Sequence, residues 1–334
     1  MYDSGLKRVI TLRMDQEIPY GGRITMKKLI LGLLIVTPVL TCTVNTSGNA
    51  NGPGALNFKE FERSIHERFD VDPQCKLSIS VDDAELEILG WDQSEVGIEG
   101  AIIISAPSEE KADKVFSTFR LEDQEDEITM RIDANSVRIE TRMFGCSSVR
   151  TCHALVRCTI HVPYAAMIDL DLDDGQVDLS SLAGEIHIDG DDLSIVLNGI
   201  KTDMIKLNTD DGRIEGTDVN GRIEINTDDA VILLRESICH GMEISLDDGS
   251  VEVETPIIEN EKYRVSADDA NVTMRISGDV HLDIDVYKDN GTFESDFPIK
   301  GELGENKVAG SIGNGGAKLS ISTDDGDIRL LKKD

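Results

Sequence analysis

Pairs of aspartates recur along the chain, and their type and spacing make them the first candidates for chemistry. The first aspartates of these pairs are Asp173, Asp191, Asp210, Asp228, Asp247 and Asp268, and related turns begin at Asp82, Asp133, Asp289 and Asp324. Carboxylate oxygens suit Ca²⁺, so a strip of stacked pairs could bind this cation. Turn chemistry is the alternative, because Asp accepts hydrogen bonds from nearby backbone N–H groups. The spacing matches neither an EF-hand loop nor a Gly-rich calcium repeat, so no metal ligand and no cofactor is assigned.

Paired carboxylates are also the catalytic groups of most glycoside hydrolases. Here a pair recurs in each unit instead of occurring once in a cleft, and the chain has one tryptophan to stack on sugars. The histidines are scattered, and we identify no Ser-His-Asp arrangement or nucleophile elbow. The sequence therefore predicts a protein without catalytic residues. A polysaccharide-active β-helix enzyme is the least favoured alternative.

The six cysteines could serve metal or disulfide chemistry. Cys146, Cys152 and Cys158 follow one another with five residues between them, and His153 adjoins the second. On one strand Cys152 and Cys158 share a face while His153 points to the other, which disfavours a zinc site. A disulfide between Cys146 and Cys152 is the better prediction for an exported protein.

The N-terminal region predicts export. Met26-Lys27-Lys28 is a short basic start, and the apolar run from Leu29 to Val36 has the length of a signal-peptide core. Met26 is therefore predicted to be the true start, so that residues 1–41 comprise a mis-assigned start and a signal peptide. A genuine polar extension before Met26 is the alternative.

A lipid anchor is predicted directly after this signal. Cys42 follows Val39-Leu40-Thr41, which resembles a bacterial lipobox, so we predict lipidation of Cys42. Residues 42–54 are rich in Asn, Thr, Ser and Gly and are expected to form a flexible tether. Cleavage after Ala50 and an uncleaved anchor are the alternatives.

The charge balance limits the partners of the chain. Asp and Glu total 64 against 33 for Lys and Arg, which gives a net charge of −31. Such a surface repels phosphate backbones and anionic lipid, so nucleic acid is excluded and the membrane is reached only through the N-terminal anchor. The charge favours a basic protein or another cationic partner. Aromatic residues make up only 4% of the chain, so its core must come from Ile, Val and Leu.

Two helices are predicted in the N-terminal portion, residues 55–160. The first covers 55–70, where Leu56, Phe58, Phe61, Ile65 and Phe69 recur at roughly helical spacing. The second follows Pro107 over about 108–120. Its N-cap is Ser108, and its apolar positions i, i+3, i+4 and i+7 are Ala112, Val115, Phe116 and Phe119.

The remaining chain, and above all the regular repeats over 161–334, reads as strands on either side of each aspartate turn. Three residues before the first aspartate stand Ile79, Met130, Leu170, Ile188, Leu207, Ile225, Ile244, Val265, Val286 and Ile321. Four residues after it stand Leu86, Val137, Val177, Ile195, Ile214, Ile232, Val251, Val272, Phe293 and Ile328. Both positions are apolar in all ten units, and polar residues alternate with them, which is strand patterning.

Two all-β architectures fit this pattern. A β-solenoid would stack about ten units of 18–21 residues, so that like positions form ladders of Ile, Val and Leu. An antiparallel meander would use the aspartate turns as type I′ hairpins, which need a positive φ at the third turn residue. Leu193, Ala84, Ala230 and Ala270 occupy that position, and a left-handed conformation costs them about 1–2 kcal/mol. The sequence therefore favours the solenoid.

Several segments resemble the bacterial putative-adhesin family, the toast-rack domains of unknown function. The similar segments begin at Asp173-Asp174-Gly175, Gly221-Arg222-Ile223 and Asp324-Asp325-Gly326. Ile160-His161-Val162-Pro163 is similar to the strand before the family's repeats, and Leu86 to Asp92 to its opening hairpin. The resemblance covers about residues 75–334, and Asp-Asp stands where the family often has Ser or Asn. It implies a β-strand-repeat fold in the cell envelope and no catalytic residues.

These observations predict a non-catalytic, envelope-anchored protein that acts as an adhesin-like or scaffolding module. Its expected partner is an envelope or surface ligand of unknown identity, for which a basic protein would suit the charge. An envelope sensor or regulatory partner-binding protein is the alternative. The predicted location is the bacterial cell envelope, with the chain facing the periplasm or the surface.

Overall fold

The computed structural model describes residues 57–124, 126–134, 138–143 and 146–333. The predicted signal peptide, Cys42 and the tether lie outside these residues. The N-terminal portion contains β1 (Lys59–Asp70), β2 (Lys76–Trp91), β3 (Glu95–Ala106), α1 (Glu109–Phe116), β4 (Arg120–Gln124), β5 (Glu127–Arg131), β6 (Arg138–Met143), β7 (Cys146–Thr151) and β8 (His153–Pro163).

Long strands dominate the rest of the chain. They are β9 (Met167–Ser180), β10 (Ile186–Asn198), β11 (Lys201–Thr217), β12 (Asn220–Arg235), β13 (Ile238–Pro256) and β14 (Lys262–Ser277). Shorter strands follow: β15 (Leu282–Lys288), β16 (Phe293–Ser295), β17 (Ile299–Leu303), β18 (Lys307–Ile312), β19 (Ala317–Thr323) and β20 (Ile328–Lys332). Eighteen of these strands form one sheet, and β6 and β7 pair with each other in a second.

The long strands stack in parallel as the rungs of a solenoid. β9 to β14 pair in sequence order, each with the next, and in parallel register. This pairing excludes the antiparallel meander for these strands. The chain departs from sequence order at both ends of the stack. There β2 lies between β9 and the strands β5 and β8, and β19 and β20 lie between β14 and the strands β15 and β16.

The apolar position before each aspartate turn forms one continuous ladder. In spatial order its members are Met130, Ile79, Leu170, Ile188, Leu207, Ile225, Ile244, Val265, Ile321 and Val286. All ten are buried. The position after the turn forms a second ladder from Leu86 to Phe293, and Cys158 of β8 pairs with Leu86 at its end. The predicted member Val137 lies outside the described residues.

The turns reverse the inward and outward faces of each rung. In β11 the buried residues of the five positions before the turn are Ile205, Leu207 and Thr209, whereas those after it are Ile214 and Gly216. The two sets have opposite parity, so both halves of the rung turn apolar side chains to the same core. This change of parity places the aspartate pairs of β9 to β14 at exposed corners.

The predicted helix over 55–70 is wrong, because Lys59–Asp70 forms the strand β1. Phe61, Ile65 and Phe69 are four residues apart, a spacing that places them on one face of a helix or of a strand. Strand pairing decides between helix and strand, because β1 pairs antiparallel with β3, from Lys59 opposite Ala106 to Asp70 opposite Glu95. Ile65 and Phe69 are buried in that arrangement.

The second predicted helix is present as α1. Ser108 precedes it in an extended conformation, with φ −154° and ψ 156°. Ser108 caps the helix through its backbone, because its carbonyl oxygen accepts hydrogen bonds from the N–H groups of Lys111 and Ala112, and its side chain makes no capping bond. Ala112, Val115 and Phe116 are buried, so these positions face the core as predicted. The predicted C-terminal part is wrong, because α1 ends at Phe116 and Phe119 lies outside the helix.

Candidate functional site: the acidic edge

The corners of successive rungs bring the aspartate pairs together along one edge of the solenoid. The second aspartates are in register from rung to rung: Asp83, Asp174, Asp192, Asp211, Asp229, Asp248 and Asp269. We call the aspartate pairs of these seven rungs the acidic edge. Neighbouring strands lie about 4.8 Å apart, so each carboxylate inside the row has like charges on both sides.

Buried threonines fix the backbone of these corners. Thr209 Oγ1 donates a hydrogen bond to the carbonyl oxygen of Asp191 at 2.6 Å, and Thr227 Oγ1 donates to that of Asp210 at 2.9 Å. Thr323 Oγ1 repeats the bond with Asp268 at 3.0 Å. All three threonines are buried. These hydrogen bonds fix the carbonyl oxygens of the aspartates on the core side of each corner, and the aspartate side chains lie on the solvent side.

Loss of solvation and mutual repulsion disfavour the ionised form of several aspartates of the acidic edge. Loss of solvation, followed by repulsion from Asp248, Asp211 and Asp228, raises the pKa of Asp229. The pKa of Asp247 is raised by the same two causes. Desolvation and neighbouring aspartates also raise the pKa values of Asp82, Asp83, Asp173 and Asp269. Repulsion among like charges disfavours the ionised form, so a cation at the edge would relieve it.

A ladder of polar side chains runs beside the acidic edge. Asn226 Nδ2 donates to Asn208 Oδ1 at 3.0 Å, and Asn208 Nδ2 donates to Asp189 Oδ1. These residues and the corner residues Asp210 and Asp228 line a shallow depression. The edge therefore presents carboxylates and amides together, a surface suited to ammonium and guanidinium donors.

The described aspartates do not converge on a metal ion. Within residues 57–124, 126–134, 138–143 and 146–333, no group of three or more His, Cys, Asp or Glu side chains could hold one. A row of evenly spaced corner carboxylates is an extended charged surface, whereas Ca²⁺ takes six to eight convergent oxygens. The Ca²⁺ hypothesis therefore gains no support from the geometry.

A second depression lies on the outer face of β1, β3, β8, β2 and β9, and sequence reasoning missed it. Its lining includes Glu62, Glu85, Glu87, Glu99, Arg157 and Asp178. Arg157 forms a bidentate ion pair with Glu85, which lowers the pKa of the Glu85 carboxyl. Thr159 Oγ1 donates a hydrogen bond to Glu87 Oε2 at 3.1 Å. Strand alternation predicts that these side chains face outward. Their proximity could not be predicted, because β2 pairs with β8 and β9, which do not directly follow it in sequence.

The predicted Cys146–Cys152 disulfide is wrong, because Cys152 is a free thiol. Cys75, Cys152, Cys158 and Cys239 are all free and buried. Cys152 faces the core while His153 is exposed on the opposite face, as strand alternation predicted. Burial raises the pKa of Cys158 to about 12, so this thiol stays protonated and unreactive.

The fold and the acidic edge define a class of protein: a β-solenoid with a row of aspartates along one edge. The chain belongs to the Toastrack DUF4097 family, whose model matches residues 74–331. This confirms the resemblance drawn from the repeats. A search of curated proteins gave no match. The helix among the described residues lacks the length and apolar character to span a membrane.

Two solved structures are similar to this chain at 12% sequence identity. One is a "putative cell adhesion protein" from Clostridium sporogenes, with a TM-score of 0.27, where the match covers 81% of this chain and 100% of that one. The other is a "putative adhesin" from Bacteroides fragilis, with a TM-score of 0.39 and coverage of 80% and 97%.

Proposed function

We propose that this protein is a non-catalytic, envelope-anchored binding module of adhesin-like character, and that the acidic edge binds a cationic partner. The observation that carries the proposal is the row of stacked corner aspartates, in which repulsion from neighbouring aspartates helps to raise the pKa values of Asp229, Asp247 and Asp269. A partner with several Lys or Arg side chains would relieve this repulsion at many rungs together. The rigid register of the rungs holds the charges in place for such a partner.

An edge variant tests this proposal with a fluorescent oligolysine peptide as the probe. It replaces three corner pairs with asparagine: Asp210, Asp211, Asp228, Asp229, Asp247 and Asp248. A control variant removes six exposed acidic charges elsewhere: Asp203, Asp218, Glu236, Glu243, Glu259 and Asp279. We expect fluorescence anisotropy to show at least about tenfold weaker binding for the edge variant than for the control, because closely spaced charges act together. Equal affinities of the two variants would assign the binding to net charge and refute a specific edge.

The pH dependence of unfolding checks that the edge variant removes the intended repulsion. Aspartates whose pKa is raised on folding bind protons more tightly in the native state, so they destabilise it above the folded pKa. This penalty disappears as the pH falls below about 4, the unfolded value. The edge variant should therefore melt at a higher temperature than the wild type at pH 7, and the difference should vanish near pH 3.5.

Anchoring is proposed to occur through a lipid on Cys42. Metabolic labelling with an alkyne analogue of palmitate should mark the wild type and leave Cys42→Ala unlabelled. The unlabelled variant should move from the membrane fraction to the soluble fraction, because a tether without its lipid has no apolar anchor. Equal labelling of both proteins would place the modification elsewhere.

A further inference from the structure

The outer edge of β1 has no partner among the described residues. Within that part of the chain β1 pairs with β3 alone. It is twelve residues long, its even-numbered residues are exposed, and its odd-numbered residues from Phe61 to Phe69 are buried or half-buried. A long exposed edge strand presents a row of backbone N–H and C=O groups that can pair with another strand.

The direction of these backbone groups follows from the ladder. The Val71 N–H donates to the carbonyl oxygen of Ser94 at 3.1 Å, so Val71 faces β3. By the alternation of an antiparallel ladder, the other odd-numbered residues of β1 also face β3 and the even-numbered ones face outward. A hydrogen bond of Trp91 supports this assignment of inward and outward backbone groups, since the Trp91 Nε1–H donates to the carbonyl oxygen of Glu95 at 2.8 Å. Glu95 lies opposite Asp70, and its carbonyl therefore points away from β1.

The sequence of this edge is complementary to itself. Residues 61–69 read Phe-Glu-Arg-Ser-Ile-His-Glu-Arg-Phe. In an antiparallel pair of two such strands centred on Ile65, the opposing residues are Phe61 with Phe69, Glu62 with Arg68, Arg63 with Glu67, and Ser64 with His66. Within residues 61–69 every acidic residue meets an arginine and the apolar residues meet one another, whereas Glu60 and Asp70 oppose each other at the two ends of the pair. A two-fold axis produces each of these contacts twice.

We propose that β1 pairs in antiparallel fashion with β1 of a second copy of this chain, with the two-fold axis at Ile65. The outward-facing backbone groups of residues 62, 64, 66 and 68 in each copy then find partners. The axis is perpendicular to the sheet, so the inner faces of both copies lie on the same side. Ile65 meets its own counterpart there, and Phe69 of one copy covers half-buried Phe61 of the other.

The charges on the inner face support this arrangement. Glu67 is half-buried, and burial raises the pKa of its carboxyl although His66 opposes the shift. Arg63 is also half-buried, held by Asp113 at 2.7 Å and by the ring of Phe116 at 4.0 Å. Pairing about Ile65 brings Arg63 of one copy opposite Glu67 of the other, which places a guanidinium beside this half-buried carboxyl. This inference is independent of what the acidic edge binds.

A charge-exchange experiment tests both the pairing and its register. Glu62→Arg alone places arginine opposite Arg68, and Arg68→Glu alone places glutamate opposite Glu62. Each variant should therefore be monomeric at concentrations where the wild type is a dimer by sedimentation velocity. An equimolar mixture should form one-to-one heterodimers, because every 62–68 contact then joins opposite charges. The double variant Glu62→Arg/Arg68→Glu should again form homodimers.

Other outcomes overturn the proposal. A wild type that is monomeric at all concentrations, single variants that stay dimeric, or a mixture that stays monomeric would each exclude this interface. Lys300→Glu on β17, the edge strand at the other end of the stack, is the control and should leave the dimer unchanged. Loss of the dimer in this control would assign the contact to β17. Thermal unfolding of each variant distinguishes loss of pairing from loss of folding.

Hydrogen exchange of the wild type gives a second test that needs no substitution. The amides of residues 62, 64, 66 and 68 should become protected as the protein concentration rises through the monomer–dimer transition. The amides of residues 61, 63, 65 and 67 should be protected at all concentrations by β3. Exchange of the even-numbered amides that does not depend on concentration would refute the pairing.

Discussion

Ile225→Asp is expected to destabilise the protein by about 3–5 kcal/mol, because it places an uncompensated charge in the core. Ile225 is fully buried and lies in register between Leu207 and Ile244 in the first apolar ladder. The ladder neighbours are apolar, so the carboxylate would have to take up a proton or the rung would have to separate. The measurement is the free energy of unfolding by urea at pH 7.

Val231→Asp on the same strand is the matched control. Val231 is 39% exposed and faces outward, so its replacement should change the free energy of unfolding by no more than about 0.5 kcal/mol. The comparison checks the reversal of faces at the Asp228 turn, since Ile225 and Val231 stand on opposite sides of it. Similar losses in both variants would mean that the assignment of inward and outward faces is wrong.

The residues that face the core could be predicted from the sequence, because they depend on the local alternation of apolar and polar residues. The ladder positions three residues before and four residues after the first aspartate differ in parity, so a turn that reverses the faces was required. The acidic edge followed from the same frame, since the aspartates lie between these two positions. Ladder members such as Leu207 and Ile214 can therefore be predicted without knowing which strands lie beside them.

The strand pairings at the two ends of the stack could not be predicted from the sequence. The alternation of apolar and polar residues shows which face of a strand is inward, but it does not show which strands pair. The Asp82 rung lies beside the Asp173 rung, and the Asp324 rung lies beside the Asp268 rung. These contacts join segments far apart in sequence, and their apolar residues would suit any rung equally. The second depression and the strand nature of β1 depend on these end contacts, and for that reason the sequence did not predict them.

Gly212→Ala is expected to destabilise the protein by about 3–5 kcal/mol, through strain and overpacking at a corner. Gly212 has a φ of 139°, and a Cβ placed on it would lie 2.0 Å from the carbonyl oxygen of Leu193 on the preceding rung. That oxygen belongs to the backbone, so the whole rung would have to shift. The measurement is the shift of the urea midpoint relative to the wild type.

Gly199→Ala isolates the part of this cost that comes from the dihedral angle. Gly199 has a φ of 63°, and a Cβ there would meet no atom within 4 Å, so only about 1–2 kcal/mol is expected. The difference between the two variants measures the contact between rungs. This contact explains why glycine alternates with larger residues along the stacked corners, in the order Ala84, Gly175, Leu193, Gly212, Ala230, Gly249 and Ala270. Each of these glycines has a positive φ and the larger residues do not. Equal losses in Gly212→Ala and Gly199→Ala would contradict a close contact between rungs at these corners.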